Sequence, residues 1–126
     1  KVFRNASRFV VLDEFYPYLT TSAGMATSMH KRLLRHQSTT DLKATYESFR
    51  IKHANYFARL DLIHIRNVIR HNTSAALCAE EKGWCWWYNR DNLHSYFTDN
   101  LHLSADGLEL LRDSYTNVLK DVIKQL

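Results

Sequence analysis

The feature that most restricts the fold is an uninterrupted apolar run near the start of the chain, Phe9-Val10-Val11-Leu12, which is followed by the acidic pair Asp13-Glu14. A strand with one face in water alternates apolar and polar residues, whereas a strand that is covered on both faces is apolar throughout. The run therefore predicts a buried strand of a parallel sheet.

Apolar residues at helical spacing predict three helices. The first covers about residues 22 to 36. The second follows the start signal Ser38-Thr39-Thr40-Asp41 and runs over residues 41 to 60. The third, over residues 104 to 126, is the clearest, and Ser104 is placed to cap its start. Its apolar face comprises Leu108, Leu111, Tyr115, Val118, Leu119, Val122 and Leu126.

Two segments have no clear period. Leu62-Ile63-His64-Ile65 could extend the second helix or form another short buried strand, and periodicity does not decide between them. Residues 78 to 99 are aromatic, polar and irregular, which predicts a long loop with a functional role. Large aromatic side chains beside a cysteine pair favour a packed core, and stacking on a sugar ring is the alternative.

Length and charge limit the classes of protein to consider. With 126 residues, of which 45% are hydrophobic, the chain is expected to form one globular unit, cut from a longer polypeptide. No stretch approaches the roughly 20 apolar residues that span a bilayer, so any membrane segment is expected upstream. The net charge of +4 comes from scattered basic residues. This pattern favours a solvated surface, and no nucleic-acid partner is predicted.

The cysteines and glycosylation sequons indicate an oxidising compartment. Cys78 and Cys85 close a short segment that contains Gly83, which suits a disulfide better than a zinc site. Asn5-Ala6-Ser7 and Asn72-Thr73-Ser74 are N-glycosylation acceptors by pattern. Together these features predict a lumenal or extracellular location.

The strongest functional signal is a repeated tetrapeptide, Asp-Asn-Leu-His, at residues 91–94 and again at residues 99–102. The second copy leads directly into the last predicted helix. There Asp99 could accept a hydrogen bond from one nitrogen of His102 and leave the other nitrogen to take a proton from a nucleophile. The alternatives are a helix-entry aspartate beside a chance histidine, or a zinc or manganese site made by both copies. The first copy is predicted to serve packing.

No serine in the chain is a persuasive nucleophile. Ser104 is explained as a helix cap, and Ser95 lacks a glycine-framed turn. The residues therefore predict the base half of a triad without its other half.

A family resemblance rests on the strand with its following proline, the cysteine pair and the block Tyr96-Phe97-Thr98-Asp99-Asn100-Leu101-His102-Leu103-Ser104-Ala105-Asp106-Gly107. In this order they resemble the C-terminal part of an SGNH domain of the kind fused behind membrane acyltransferase-3 domains. The resemblance implies an α/β fold, a partial three-layer sandwich whose short parallel sheet has flanking helices. It makes Leu62 to Ile65 a strand beside Phe9 to Leu12, with residues 1–126 as the C-terminal portion of a single domain.

The resemblance also implies an activity. Asp99 and His102 are expected to belong to the Ser-His-Asp triad of an O-acyltransferase or esterase, which acts on acyl groups carried by hydroxyls and requires no cofactor or metal. The Gly-Asp-Ser block that supplies the serine in the family is absent, so the chain alone is expected to be inactive. The expected partners are an acyl donor, a hydroxyl-bearing acceptor and an upstream membrane acyltransferase domain. The alternative function is a secreted or lumenal module that binds a glycan or a protein without catalysis.

Overall fold

The computed structural model describes residues 9–18, 21–78 and 83–124. The expected glycosylation site at Asn5 lies outside these residues. The elements in chain order are β1 (Val10–Asp13), α1 (Met25–Leu34), β2 (Lys43–Thr45), α2 (Tyr46–Lys52), α3 (Ala54–Asp61), β3 (Val68–His71), α4 (Ser74–Leu77), β4 (Trp84–Trp86) and α5 (Ala105–Lys124). The predicted first strand and the first and last predicted helices are therefore confirmed.

The parallel neighbour of β1 is β3, which pairs Val10 with Val68 and Asp13 with His71. The prediction that Leu62 to Ile65 forms this strand is wrong. The chain leaves α3 through two turn hydrogen bonds, from the Leu62 N–H to the Arg59 carbonyl and from the Ile63 N–H to the Leu60 carbonyl. These turns leave Leu62 exposed and place Ile63 against the core, so the strand begins only at Val68.

The polar half of β3 explains why an apolar-run criterion missed this strand. Arg70 donates hydrogen bonds to Glu14 at 2.8 Å and to Asp61 at 2.8 Å, and it forms ion pairs with both carboxylates. His71 bonds to Asp13 at 2.8 Å. Since their partners come from the end of β1 and from α3, both side chains are accommodated in a covered sheet.

Helices cover both faces of the parallel sheet. Successive residues of a strand point to opposite faces of the sheet. Leu12 of β1 packs against the aromatic cluster of α2 and α3 on one face. His71, which lies opposite the next residue Asp13, reaches Ser114 of α5 on the other face. The α/β class with a short parallel sheet and flanking helices is thereby confirmed. No helix in the described ranges is long and apolar enough to cross a membrane.

The single helix predicted over residues 41 to 60 is wrong, because this region contains β2 and two shorter helices. The strand β2 pairs antiparallel with β4. Thr45 then caps α2 by accepting a hydrogen bond from the Ser48 N–H at 3.1 Å. The segment Ser38-Thr39-Thr40-Asp41, which was expected to start a helix, does not do so. Its Asp41 forms an ion pair with Arg32 of α1 instead. A break at His53 separates α2 from α3.

The larger core lies between α1 and the aromatic segment that follows β4. Trp87 and Phe97 are each only 1% exposed, and Met25 of α1 packs with them. Cys78 and Cys85 form the predicted disulfide, with their Cα atoms 4.0 Å apart. This core fixes the segment of residues 96 to 104, which contains the second Asp-Asn-Leu-His copy.

Candidate active site

Asp99 and His102 form a hydrogen-bonded pair on the loop that precedes α5. Oδ2 of Asp99 lies 2.7 Å from Nδ1 of His102. Oδ1 of the same carboxylate accepts the backbone N–H groups of Leu101 at 2.7 Å and His102 at 2.8 Å. One oxygen therefore shapes the turn while the other orients the imidazole.

The electrostatics of the pair keep the carboxylate ionised. The backbone N–H groups of His102 and Leu101, together with the imidazole, hold the pKa of Asp99 far below its usual range. The His102 side chain is 79% exposed, and none of the described hydrogen bonds uses its Nε2. This arrangement can hold Nδ1 as the protonated nitrogen and leave Nε2 available to accept a proton from outside.

The loop sits beside the segment that leaves the carboxyl end of β1. The Tyr16 hydroxyl donates to the Leu101 carbonyl at 2.7 Å, and the Met25 N–H at the start of α1 donates to the Asp99 carbonyl at 3.0 Å. Ligands of open parallel α/β sheets bind beyond the carboxyl ends of the strands. The pair therefore lies on the side of the fold where such sites occur.

The first Asp-Asn-Leu-His copy adopts a different structure. The His94 N–H bonds to its neighbour Asn92 at 2.9 Å, and Leu93 has a φ of 61°. The His94 imidazole lies 3.3 Å from Asp106 of α5, so it pairs with a distant carboxylate rather than with Asp91. In the described ranges no group of three or more His, Cys, Asp or Glu side chains could hold a metal ion. The alternative of a metal site shared by both copies therefore has no support.

The two serines near the loop have structural roles. Ser104 accepts the Gly107 N–H at 3.1 Å, as expected of a cap on α5, and donates to the Ser95 carbonyl at 2.6 Å. Ser95 in turn donates to the Phe97 carbonyl at 2.7 Å. Both hydroxyls are thus engaged in holding the backbone.

A second Asp-His pair, which the sequence analysis did not identify, links the strands to α5. Nδ1 of His71 lies 2.8 Å from Asp13, and Nε2 lies 2.7 Å from the Ser114 hydroxyl. The Tyr115 hydroxyl donates to the other Asp13 oxygen at 2.7 Å, and burial together with this carboxylate raises the pKa of Tyr115 to about 12. The position of Asp13 at the end of an apolar strand was the available sequence signal.

Together with Ser114, this second pair has the arrangement of an Asp-His-Ser triad, but its histidine is not accessible to a substrate. His71 is 2% exposed, and both of its ring nitrogens are already bonded. Ser114 lies in the middle of α5, where the backbone N–H groups bond within the helix and none is left to stabilise an oxyanion. The cluster therefore fastens α5 to the parallel sheet, and the exposed pair Asp99 and His102 is the better catalytic candidate.

The tryptophans do not form an exposed binding face. Trp86 is 5% exposed and Trp87 is 1% exposed, and the indole N–H of Trp87 donates to the Pro17 carbonyl at 3.3 Å. The prediction that these rings belong to the core is confirmed for both. Coplanar exposed rings of Trp84, Trp86 and Trp87 with a buried His102 would have favoured a binding module, whereas Trp86 and Trp87 are buried, Trp84 is partly exposed and His102 is exposed.

The second sequon is on the surface. Asn72 is exposed, while the hydroxyls of Thr73 and Ser74 donate to the carbonyls of Glu14 and Phe15 at 2.6 Å and 2.9 Å. The sequon residues therefore also tie the end of β3 to the end of β1. Glycosylation of Asn72 stays a prediction.

A protein-family model matches the chain. The model of the SGNH domain family, described as fused to AT3 domains, matches residues 3–117, which is most of the chain. No curated protein and no solved structure matches. The matched span contains both strands of the parallel sheet, the disulfide and the Asp99-His102 loop, and it extends into α5. The chain belongs to the family of SGNH domains that are fused to AT3 domains.

Proposed function

We propose that this chain is the C-terminal portion of an SGNH-type O-acyltransferase or esterase domain and carries the acid-base half of its Ser-His-Asp triad. His102 takes the proton from a serine hydroxyl as the serine attacks the acyl carbonyl, and it returns the proton to the leaving group. Asp99 holds the imidazole tautomer and stabilises the imidazolium that forms. The acyl donor and the hydroxyl-bearing acceptor are then substrates of the assembled domain.

One observation carries the proposal. The 2.7 Å contact between Oδ2 of Asp99 and Nδ1 of His102 lies inside the stretch that the SGNH family model matches, and the ring is exposed. A base oriented through Nδ1 and open at Nε2 is what nucleophilic catalysis by serine requires. The buried His71 offers no such open nitrogen.

The nucleophile and the oxyanion donors are proposed to come from outside residues 1–126. The chain has no Gly-Asp-Ser sequence. In the described part of the chain the parallel sheet has only two strands, so the outer edges of β1 and β3 carry no further strand there. Sheets in globular proteins most often have about four to six strands. Further strands from the same domain would extend the sheet and supply the serine.

The membrane part of the proposal follows from the family. Because SGNH domains of this type are fused to AT3 domains, we infer that the parent protein is membrane-bound. The Cys78–Cys85 disulfide favours a lumenal or extracellular position for this domain. Asn72 would then be available for glycosylation.

The test is ester turnover by the parent polypeptide, in which we propose that a Gly-Asp-Ser segment precedes this chain. Turnover of p-nitrophenyl acetate is measured for the wild type and for His102→Ala, Asp99→Asn and His94→Ala. We expect His102→Ala to lower kcat by about 10³-fold or more, and Asp99→Asn to lower it by up to ~10⁴-fold because the tautomer is no longer fixed.

His94→Ala is the matched control, because it removes the histidine of the other Asp-Asn-Leu-His copy and should leave turnover near the wild-type value. The 126-residue chain alone should give no turnover above background. Full activity of the parent polypeptide with His102 replaced would refute the catalytic assignment.

A further inference from the structure

We propose that Asn100 is a positioning residue that clamps the Asp99-His102 loop to Thr21 and thereby keeps the pair in its hydrogen-bonded geometry. The proposal deepens the proposed function, since the catalytic meaning of the geometry rests on it. Asn100 lies between the two members of the pair in the sequence, directly after Asp99.

The clamp is bidentate and uses the backbone of Thr21. Oδ1 of Asn100 accepts the Thr21 N–H at 2.9 Å, and Nδ2 of Asn100 donates to the Thr21 carbonyl at 2.8 Å. The Thr21 hydroxyl adds a contact to Oδ1 at 3.1 Å. Only a side-chain amide supplies both an acceptor and a donor in this spacing, so the site selects asparagine over aspartate.

The Asp99-His102 loop also lies close to the backbone that precedes α1, so there is little space between the two segments that Asn100 connects. Gly24 has a φ of 80°, and a Cβ placed on it would lie 3.2 Å from the Asp99 Cα. The Met25 N–H holds the Asp99 carbonyl on the same side. The Asn100 side chain connects the loop to this neighbouring segment. Both carboxylate oxygens of Asp99 form their hydrogen bonds within the loop.

The other copy of the tetrapeptide provides an internal comparison. Asn92, which matches Asn100 in sequence, accepts the N–H of His94 at 2.9 Å and so bonds within its own turn. In that copy the histidine pairs with Asp106 and not with the preceding aspartate. Identical residues therefore give the Asp-His pair only where the asparagine is bonded outside the loop.

The proposal predicts two separate effects of Asn100→Ala. Released from Thr21, the loop samples turns in which the backbone N–H groups of Leu101 and His102 no longer both point at Asp99. The pKa of Asp99 should then rise toward its ordinary value near ~3.9. In the parent polypeptide kcat should fall by about 10- to 100-fold with little change in KM, because a displacement of ~1 Å of a catalytic group costs this much.

The experiment combines a titration with kinetics. The carboxyl ¹³C shift of Asp99 is followed against pH in the chain, for the wild type, Asn100→Ala, Asn100→Asp and Asn92→Ala. Asn92→Ala is the matched control and should leave the Asp99 titration and turnover unchanged. Asn100→Asp keeps an acceptor for the Thr21 N–H, loses the donor to the Thr21 carbonyl and adds a carboxylate beside Asp99, so the pKa of Asp99 should rise at least as far as in Asn100→Ala.

The outcomes separate this proposal from the proposed function. An Asp99 pKa in Asn100→Ala equal to that of the wild type, or an equal rise in Asn92→Ala, would overturn the positioning role. A raised pKa of Asp99 in Asn100→Ala but not in Asn92→Ala, with a fall in kcat only in Asn100→Ala, supports it. If His102→Ala keeps full turnover, the proposed function fails, and the Asp99 titration still decides whether Asn100 holds the loop.

Discussion

Substituting alanine for Gly107, the third residue of α5, tests how tightly the helix and the Asp99-His102 loop are joined. Helix propensity alone predicts a gain of about 1 kcal/mol for glycine to alanine within a helix. The structure predicts the opposite sign, because a Cβ at this position would lie 2.2 Å from the Tyr96 carbonyl oxygen and 3.0 Å from the Leu103 side chain.

The size of the effect follows from what must move. The Tyr96 carbonyl has to retreat by about 1 Å before it makes an ordinary contact, and overpacking of this kind costs about 1–3 kcal/mol. The same carbonyl accepts the Ser104 N–H at 2.9 Å, and the Tyr96 N–H donates to Trp87 at 2.9 Å. Weakening the first of these bonds adds about 1 kcal/mol. After the propensity gain is subtracted, the expected net loss is about 2 kcal/mol.

Thermal unfolding followed by circular dichroism measures this loss. For a domain of this size about 2 kcal/mol corresponds to a fall in Tm of about 6–10 °C. Asn117→Ala, at an exposed position of the same helix, is the control and should leave Tm unchanged or raise it slightly. A Gly107→Ala protein as stable as the wild type would show that the close contact with Tyr96 does not constrain the helix.

Two further predictions concern stability. The pKa of Tyr115 is raised to about 12 by burial and by Asp13. The folded state therefore keeps this proton, and its contribution to stability is complete below pH ~10 and is lost as the pH rises from ~10 to ~12. Urea unfolding at pH 9 and 11 should show a larger loss for the wild type than for Tyr115→Phe, and equal losses would contradict this role. Replacing Cys78 and Cys85 by alanine should lower the free energy of unfolding by about 2.5 kcal/mol, as expected for an eight-residue cycle, and denaturant midpoints that do not change would argue against it.

The features that the sequence predicted correctly depend on local interactions. The β1 run, the cap at Ser104 and the Asp99-His102 contact each involve residues that are close in sequence, so their geometry follows from backbone rules and spacing. The disulfide belongs to the same group, since a short cycle leaves the two cysteines few other arrangements. The catalytic role of Asp99 and His102 stays a proposal.

The predictions that were wrong concern segments whose secondary structure depends on contacts with residues far away in the chain. Val68–His71 is the second strand because Glu14 and Asp61 pair with its Arg70 and Asp13 forms a hydrogen bond with its His71, and none of these pairings is visible in a local window. Likewise, pairing of Lys43–Thr45 with Trp84–Trp86 outweighed the helical pattern of residues 41 to 60.

The two Asp-Asn-Leu-His copies show most directly which features the sequence determines and which the tertiary structure decides. The sequence determined that each copy can form a tight turn with an aspartate, an asparagine and a histidine at fixed spacing. The tertiary structure decided which copy pairs its own residues, because only the second lies against Thr21 and the start of α1, where its asparagine and its backbone find partners. The first lies beside Asp106 of α5, and this nearby carboxylate takes the histidine. Hydrogen bonds to residues far away in the chain thus give two identical segments different structures.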